Sequence, residues 1–131
     1  MQTAPLRTTR FENALPILSV RDLAASVRYY VDVLGFANAD WAMSDFTLVK
    51  RGGAGLYLCQ GGQGHPGTWV WIGVDDAAGL YEEYRMAGAK LRGGLRNYAW
   101  AYELQVEDPD GHVLRCGAEP RADLPFSEGP V

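Results

Sequence analysis

Cysteine and histidine are scarce in this chain, at two each among 131 residues. Cys59 and Cys116 stand far apart without metal-type spacing, so free thiols that behave as small core residues are expected rather than a disulfide framework. Long apolar runs are missing too. No stretch approaches the roughly 20 apolar residues that a membrane-spanning helix needs. The opening MQTAPLRTTRF carries basic residues with no apolar segment behind them, which implies a cytoplasmic protein without a membrane partner. Nor is there a block of one charge. Twelve Lys and Arg against sixteen Asp and Glu give a formal net charge of −4. The basic residues are scattered, which removes the electrostatic footprint of a nucleic-acid binder. A mildly acidic chain of this kind accommodates a neutral or cationic ligand more easily than an anionic one.

What is present is enough for one core: 47% hydrophobic residues in a chain of single-domain length. NALPILSV reads as a strand. Asp22 then caps an amphipathic helix whose apolar positions Leu23, Val27, Tyr30 and Leu34 recur at helical spacing, with Gly35 as its stop. DFTLVK and GLYLC flank the turn Arg51-Gly52-Gly53-Ala54, which marks a β-hairpin. The pattern then recurs. TWVWIGV is a strand, Asp76 starts a helix with a stripe at Leu80, Tyr84 and Ala87, and Gly88 stops it. Strands around Lys90 to Tyr98, at AYELQVE and at HVLRCG follow, the last two joined by Asp108-Pro109-Asp110-Gly111. Val20 thus corresponds to Val74, Asp22 to Asp76 and Tyr30 to Tyr84. The fold class is α+β, two tandem βαβββ modules: module 1 at about 12–60, a flexible linker at 61–67, module 2 at about 68–118 and a tail at 119–131.

The linker contains Gly62-x-Gly64-x-x-Gly67, but a dinucleotide fingerprint needs a strand before it and a helix opening from it. Here a strand follows and Pro66 interrupts. In that following strand, TWVWIG, Trp69 and Trp71 share one face and Val70 and Ile72 the other. The tryptophan face is either packed core or the wall of a binding site, and the residues alone leave both open.

Two βαβββ modules, ALPILSVRDLAASVRYYVDVLGF near the start and VEDPDGHVLRCGAE near the end resemble the glyoxalase/bleomycin resistance/dioxygenase superfamily, also called vicinal oxygen chelate proteins. The chain is most similar to the bleomycin resistance proteins, through Pro16, the WVW of Trp69 to Trp71, and Trp100 eight residues before the closing turn. The resemblance implies a curved mixed sheet around a cleft, in a homodimer with the pocket near the subunit interface. The superfamily's four metal-ligand positions fall on Leu15, Tyr57, Trp69 and Arg115, none a donor for a divalent ion. His65 and His112 do not align with those positions. No metal and no cofactor are therefore expected, and no catalytic residue is assigned.

The resemblance instead places Trp69 and Trp71 on the concave face. It adds Trp100, Phe46 and Trp41 as groove aromatics, with Tyr57 and Cys59 sharing the cleft parity of their strand. Trp69 and Trp100 are expected as two walls of a sandwich for a flat ligand. Glu103 either binds a ligand cation or pairs with Arg115. The function implied is metal-free sequestration of a planar or cationic small molecule. The alternative is a lyase, isomerase or oxygenase of the same superfamily.

Overall fold

The computed structural model describes residues 8–127. In the first half, β1 (Ile17–Ser19) leads into α1 (Leu23–Arg28), then β2 (Ala37–Asn38), β3 (Phe46–Arg51) and β4 (Ala54–Cys59). The second half repeats the order with β5 (Trp69–Gly73), α2 (Ala77–Ala87), β6 (Lys90–Leu91), β7 (Arg96–Asn97), β8 (Tyr102–Glu107) and β9 (Val113–Ala118). The strands are ordered β1-β4-β3-β2 in one sheet and β5-β9-β8-β6 in the other, with β7 also on β8. In each module the first strand runs parallel to the last, and the remaining pairs are antiparallel.

Local chemistry explains the repeat. The Asp22 side chain accepts the Ala25 N–H and that of Asp76 the Gly79 N–H, satisfying amides that a helix start leaves without partners. Gly88 closes α2 at φ 77°, the left-handed conformation that costs glycine nothing. The β3–β4 hairpin pairs Arg51 with Ala54 across a two-residue Gly52-Gly53 loop. Two stretches differ from the sequence reading. After Arg28 the first helix widens into a π-helical turn, Tyr29–Val33, where the Leu34 N–H reaches back to Tyr29 O. Both tyrosines are anchored at that widening: Tyr29 donates to Glu107 O and Tyr30 to Asp108 Oδ2. The strand expected over Lys90 to Tyr98 breaks into β6 and β7 around Gly93-Gly94, where Gly93 adopts φ 72°.

One core serves both modules. Leu18, Val49, Leu56 and Leu58 of the first sheet, Leu104, Val106, Leu114 and Cys116 of the second, and Tyr30 and Tyr84 of the helices form a single buried cluster. Cys116 is a free thiol, pushed up to about 12 by burial, as expected of a core residue. Residues 61–67 lie partly against β1, where a Cβ on Gly64 would stand 2.8 Å from Ile17 O. His112 links the same strands: Nδ1 accepts the Thr68 N–H, so Nε2 carries the proton donated to Ser19 O.

The Tyr30–Asp108 bond crosses between modules in the buried core at 2.9 Å. Burial foremost raises the Asp108 carboxyl above its ordinary range. Tyr30→Phe removes one of that carboxylate's donors, and the turn bonds that Asp108 Oδ1 accepts from the Asp110 and His112 N–H groups remain. Chemical denaturation is expected to show a loss of about 1–2 kcal/mol. A variant as stable as the parent would show that this bond does not help join the modules.

Candidate functional site

Strand parity sorts the second sheet into two faces. Val70 and Ile72 of β5 pack on the core, whereas Trp69 and Trp71 on the opposite face are 48% and 51% exposed. Their neighbours follow from the register, Trp69 beside Val113 and Trp71 beside Arg115. The next strand contributes Glu103, Gln105 and Glu107 to the same face, since Gln105 pairs with Arg115 and Glu107 with Val113. The first sheet presents Ile17 and Ser19 of β1, Phe46, Leu48 and Lys50 of β3, and Gly55, Tyr57 and Cys59 of β4 on the corresponding face.

Glu103 and Arg115 form a bidentate ion pair at 2.6 and 3.1 Å, diagonal across β8 and β9. Glu103 is 1% exposed and Arg115 retains 20% of its side-chain surface. The open alternative for Glu103 thus resolves to the ion pair, and its carboxylate is not free for a ligand cation. The Arg115 guanidinium also lies 5.6 Å from the Trp71 ring centroid, a cation–π contact. Trp71 rests on Gly117, where a Cβ would overlap the indole. Gly117 therefore serves as the seat that lets the ring lie flat on the sheet.

The other aromatics fall into two groups. On the first sheet, Phe46 stacks on Tyr57 at 5.2 Å and on Trp41 at 6.3 Å. On the second, Trp100 stacks on the buried Tyr98 at 4.7 Å with planes 4° apart, leaving its other face open at 55% exposure. Cys59 has the expected parity but is only 6% exposed, so its thiol is covered and does not line the open face.

A groove of about 610 Å³ runs beside Trp71, Trp100 and Tyr102, with Asp75, Glu119 and Arg121 along it. The tryptophans that share this groove are therefore Trp71 and Trp100, whereas Trp69, at the start of β5, lies outside it. The larger concavity, about 720 Å³, lies away from this face between the β3–β4 turn and α2, and Arg51 and Glu83 line it. Those two side chains form a bidentate ion pair there, and Arg51 also donates to Leu34 O. That concavity is a seam between modules with none of the predicted site residues in it.

The four positions implied for a metal occupy equivalent places. Ile17 pairs with Tyr57 as Trp71 pairs with Arg115, so Leu15 and Tyr57 in one module match Trp69 and Arg115 in the other. Their donor set is an alkyl chain, a phenol, an indole and a guanidinium already held by a carboxylate, which does not fit a divalent ion. Among the described residues, no three of His, Cys, Asp and Glu converge as a metal site.

Several residues on this face escaped the sequence reading. Arg92 lies 5.3 Å from the centroid of the Trp69 ring and reaches Gln105 and Glu107. Tyr98 supports Trp100, and Lys90 joins Glu107 at 2.9 Å. The alternation of NYAWAYELQVE carried a signal for Tyr98. Arg92 had none, because its placement depends on where β6 ends.

Two modules with matching strand order, the second carrying β7 as an addition, share one core and leave aromatic faces uncovered. The chain belongs to the Glyoxalase/Bleomycin resistance protein/Dioxygenase superfamily, whose family model matches residues 13–115. Among solved structures it is similar to the bleomycin-binding protein from bleomycin-producing Streptomyces verticillus, complexed with copper(II)-bleomycin. Identity there is 29% and the TM-score 0.72, over 85% of this chain and 98% of that one. TnmS3, an antibiotic binding protein from Streptomyces sp. CB03234, shares the fold at 21% identity and TM-score 0.74, covering 86% of this chain and 99% of its own. So does a bleomycin resistance determinant encoded on the transposon Tn5, at 22% identity and TM-score 0.69, covering 83% and 98%. No curated protein sequence matches the chain. Among the described residues no helix is long and apolar enough to cross a membrane.

Proposed function

We propose that this protein binds and sequesters a planar or cationic small molecule, without chemical change, in an aromatic cleft completed by a second copy of the chain. The observation that carries this reading is the placement of aromatic surface. Both helix-facing sides of the sheets are filled, yet Trp41, Trp69, Trp71 and Trp100 all stand 46–55% exposed. Exposed indole in that quantity is costly unless something covers it. In one subunit the Trp41–Phe46–Tyr57 stack and the Trp71–Trp100 groove lie on different sheets. A homodimer that turns one group toward the other would cover both and leave a slot for a flat ring. The 29% identity to a protein solved with copper(II)-bleomycin supports a binding role, and the absence of donor side chains at the metal positions argues against the superfamily's metal-dependent chemistry.

Two measurements test the reading. Sedimentation equilibrium at micromolar concentration should give twice the 14.4 kDa chain mass; a single-chain mass counts against the shared cleft. Titration with copper(II)-bleomycin and with planar aromatics should quench tryptophan fluorescence, and mass spectrometry should recover the compound unaltered. A converted compound would make the protein an enzyme.

A further inference from the structure

The open faces carry a charge opposite to that of the whole chain. Among the described residues their strands present Lys50, Lys90, Arg92, Arg96 and Arg115 against Glu103 and Glu107, with Asp75, Glu119 and Arg121 along the groove at one end, on a protein of net charge −4. Part of that excess stands beside Trp69. Arg115 is neutralised by Glu103. At the other end of β5, however, Lys90 and Arg92 share the single carboxylate of Glu107, which leaves one surplus positive charge beside Trp69. Arg92 donates through Nε to Gln105 and through Nη1 to Glu107. Among the described residues its Nη2 has no partner, so two N–H groups of a guanidinium held against an indole remain available.

We propose that the ligand is a flat aromatic acid whose anionic group is bound by Arg92, with Lys90 beside it, while its ring lies against the tryptophans. This inference rests on the small-molecule-binding reading above and narrows it, selecting the planar ligand and disfavouring the cationic one. The physical reasons are two. Trp69 and Trp71 each have a guanidinium over one face of the ring, at 5.3 and 5.6 Å, so a ligand cation stacked on the other face meets its repulsion. An arginine fixed by two side-chain acceptors is also pre-organised to receive carboxylate oxygens. Asp75 and Glu119 line the groove beside Trp71 and Trp100, beyond the opposite end of the strands from Trp69, and do not offset the charge at Arg92.

Three probes of one shape test this at pH 7.5: anthracene-9-carboxylate, the neutral anthracene-9-carboxamide and the cationic 9-(aminomethyl)anthracene. By calorimetry the carboxylate should bind about tenfold or more tighter than the amide, the ammonium weakest, and the carboxylate's advantage should shrink as salt rises. Arg92→Gln, at a side chain 42% exposed, should abolish that advantage by weakening the carboxylate far more than the amide, and Lys90→Gln should reduce it. Equal affinities, a preference for the ammonium, or an Arg92→Gln variant that weakens the amide as much as the carboxylate overturns the inference and leaves the binding function standing. If no probe binds, this inference falls, and the titration with copper(II)-bleomycin decides separately whether the binding function stands.

Discussion

Glu103→Ala is expected to destabilise the protein by about 3–5 kcal/mol in thermal or denaturant unfolding. The carboxylate is 1% exposed and both its oxygens are engaged by Arg115, itself only 20% exposed. Removing it leaves a guanidinium largely sheltered from water with only the Trp71 face for compensation. Desolvation of the orphaned charge supplies most of that cost, and the net worth of the pair itself is smaller. Glu103→Leu with Arg115→Met should therefore recover most of the loss, because replacing both members with apolar groups removes the unpaired charge. A Glu103→Ala protein within about 1 kcal/mol of the parent would mean that Arg115 swings out to water, and that the pair does not fix the floor beneath Trp71.

The architecture was legible where it depends on local chemistry. Asp22 and Asp76 are caps in both the sequence pattern and the structure, and Gly52-Gly53 closes the hairpin at the expected place. The alternation in TWVWIG sorts its side chains as their spacing requires, with Val70 and Ile72 on the core. The readings that needed revision depend on contacts between distant residues. The helix from Leu23 to Leu34 has an unbroken apolar stripe, and nothing in that stripe announces a π turn drawn by hydrogen bonds to residues 107 and 108. Pairing of Glu103 with Arg115 required the β8–β9 register, which a turn sequence alone does not set. Residues 119–131 read as a tail, and nothing in the sequence tells that the buried Asn97 binds Arg121, Leu124 and Ser127 through side-chain and backbone groups, holding the described part of that segment against β7. The candidate site was legible as aromatic surface but not as charge, because Arg92 comes over the Trp69 ring only once β6 pairs with β8 and β5 with β9.

Trp71→Ala and Trp100→Ala should weaken binding of a flat ligand without unfolding the protein, whereas Ile72→Asp should strongly destabilise it. The two tryptophans line one groove and each has one face already supported, Trp71 by Arg115 and Trp100 by Tyr98. Each therefore offers its remaining face to a ring, and losing one such stacking surface costs about 1–3 kcal/mol by analogy with nucleobase stacking. Affinity should fall roughly 5-fold to 150-fold at 25 °C. Trp69→Ala should have a comparable effect for a ligand that reaches Arg92, and it serves as a third variant. Ile72 sits one residue away on the opposite face, partly buried against the shared core, and a carboxylate there would put an ionised group into apolar packing. The loss should be several kcal/mol, a large share of the roughly 5–15 kcal/mol by which a domain is stable. The paired measurement is thermal unfolding of all four variants beside fluorescence titration with anthracene-9-carboxylate. Trp71→Ala melting as readily as Ile72→Asp, with unaltered ligand affinity in Trp100→Ala, would make TWVWIG a strand packed on both faces and remove the aromatic cleft as a binding site.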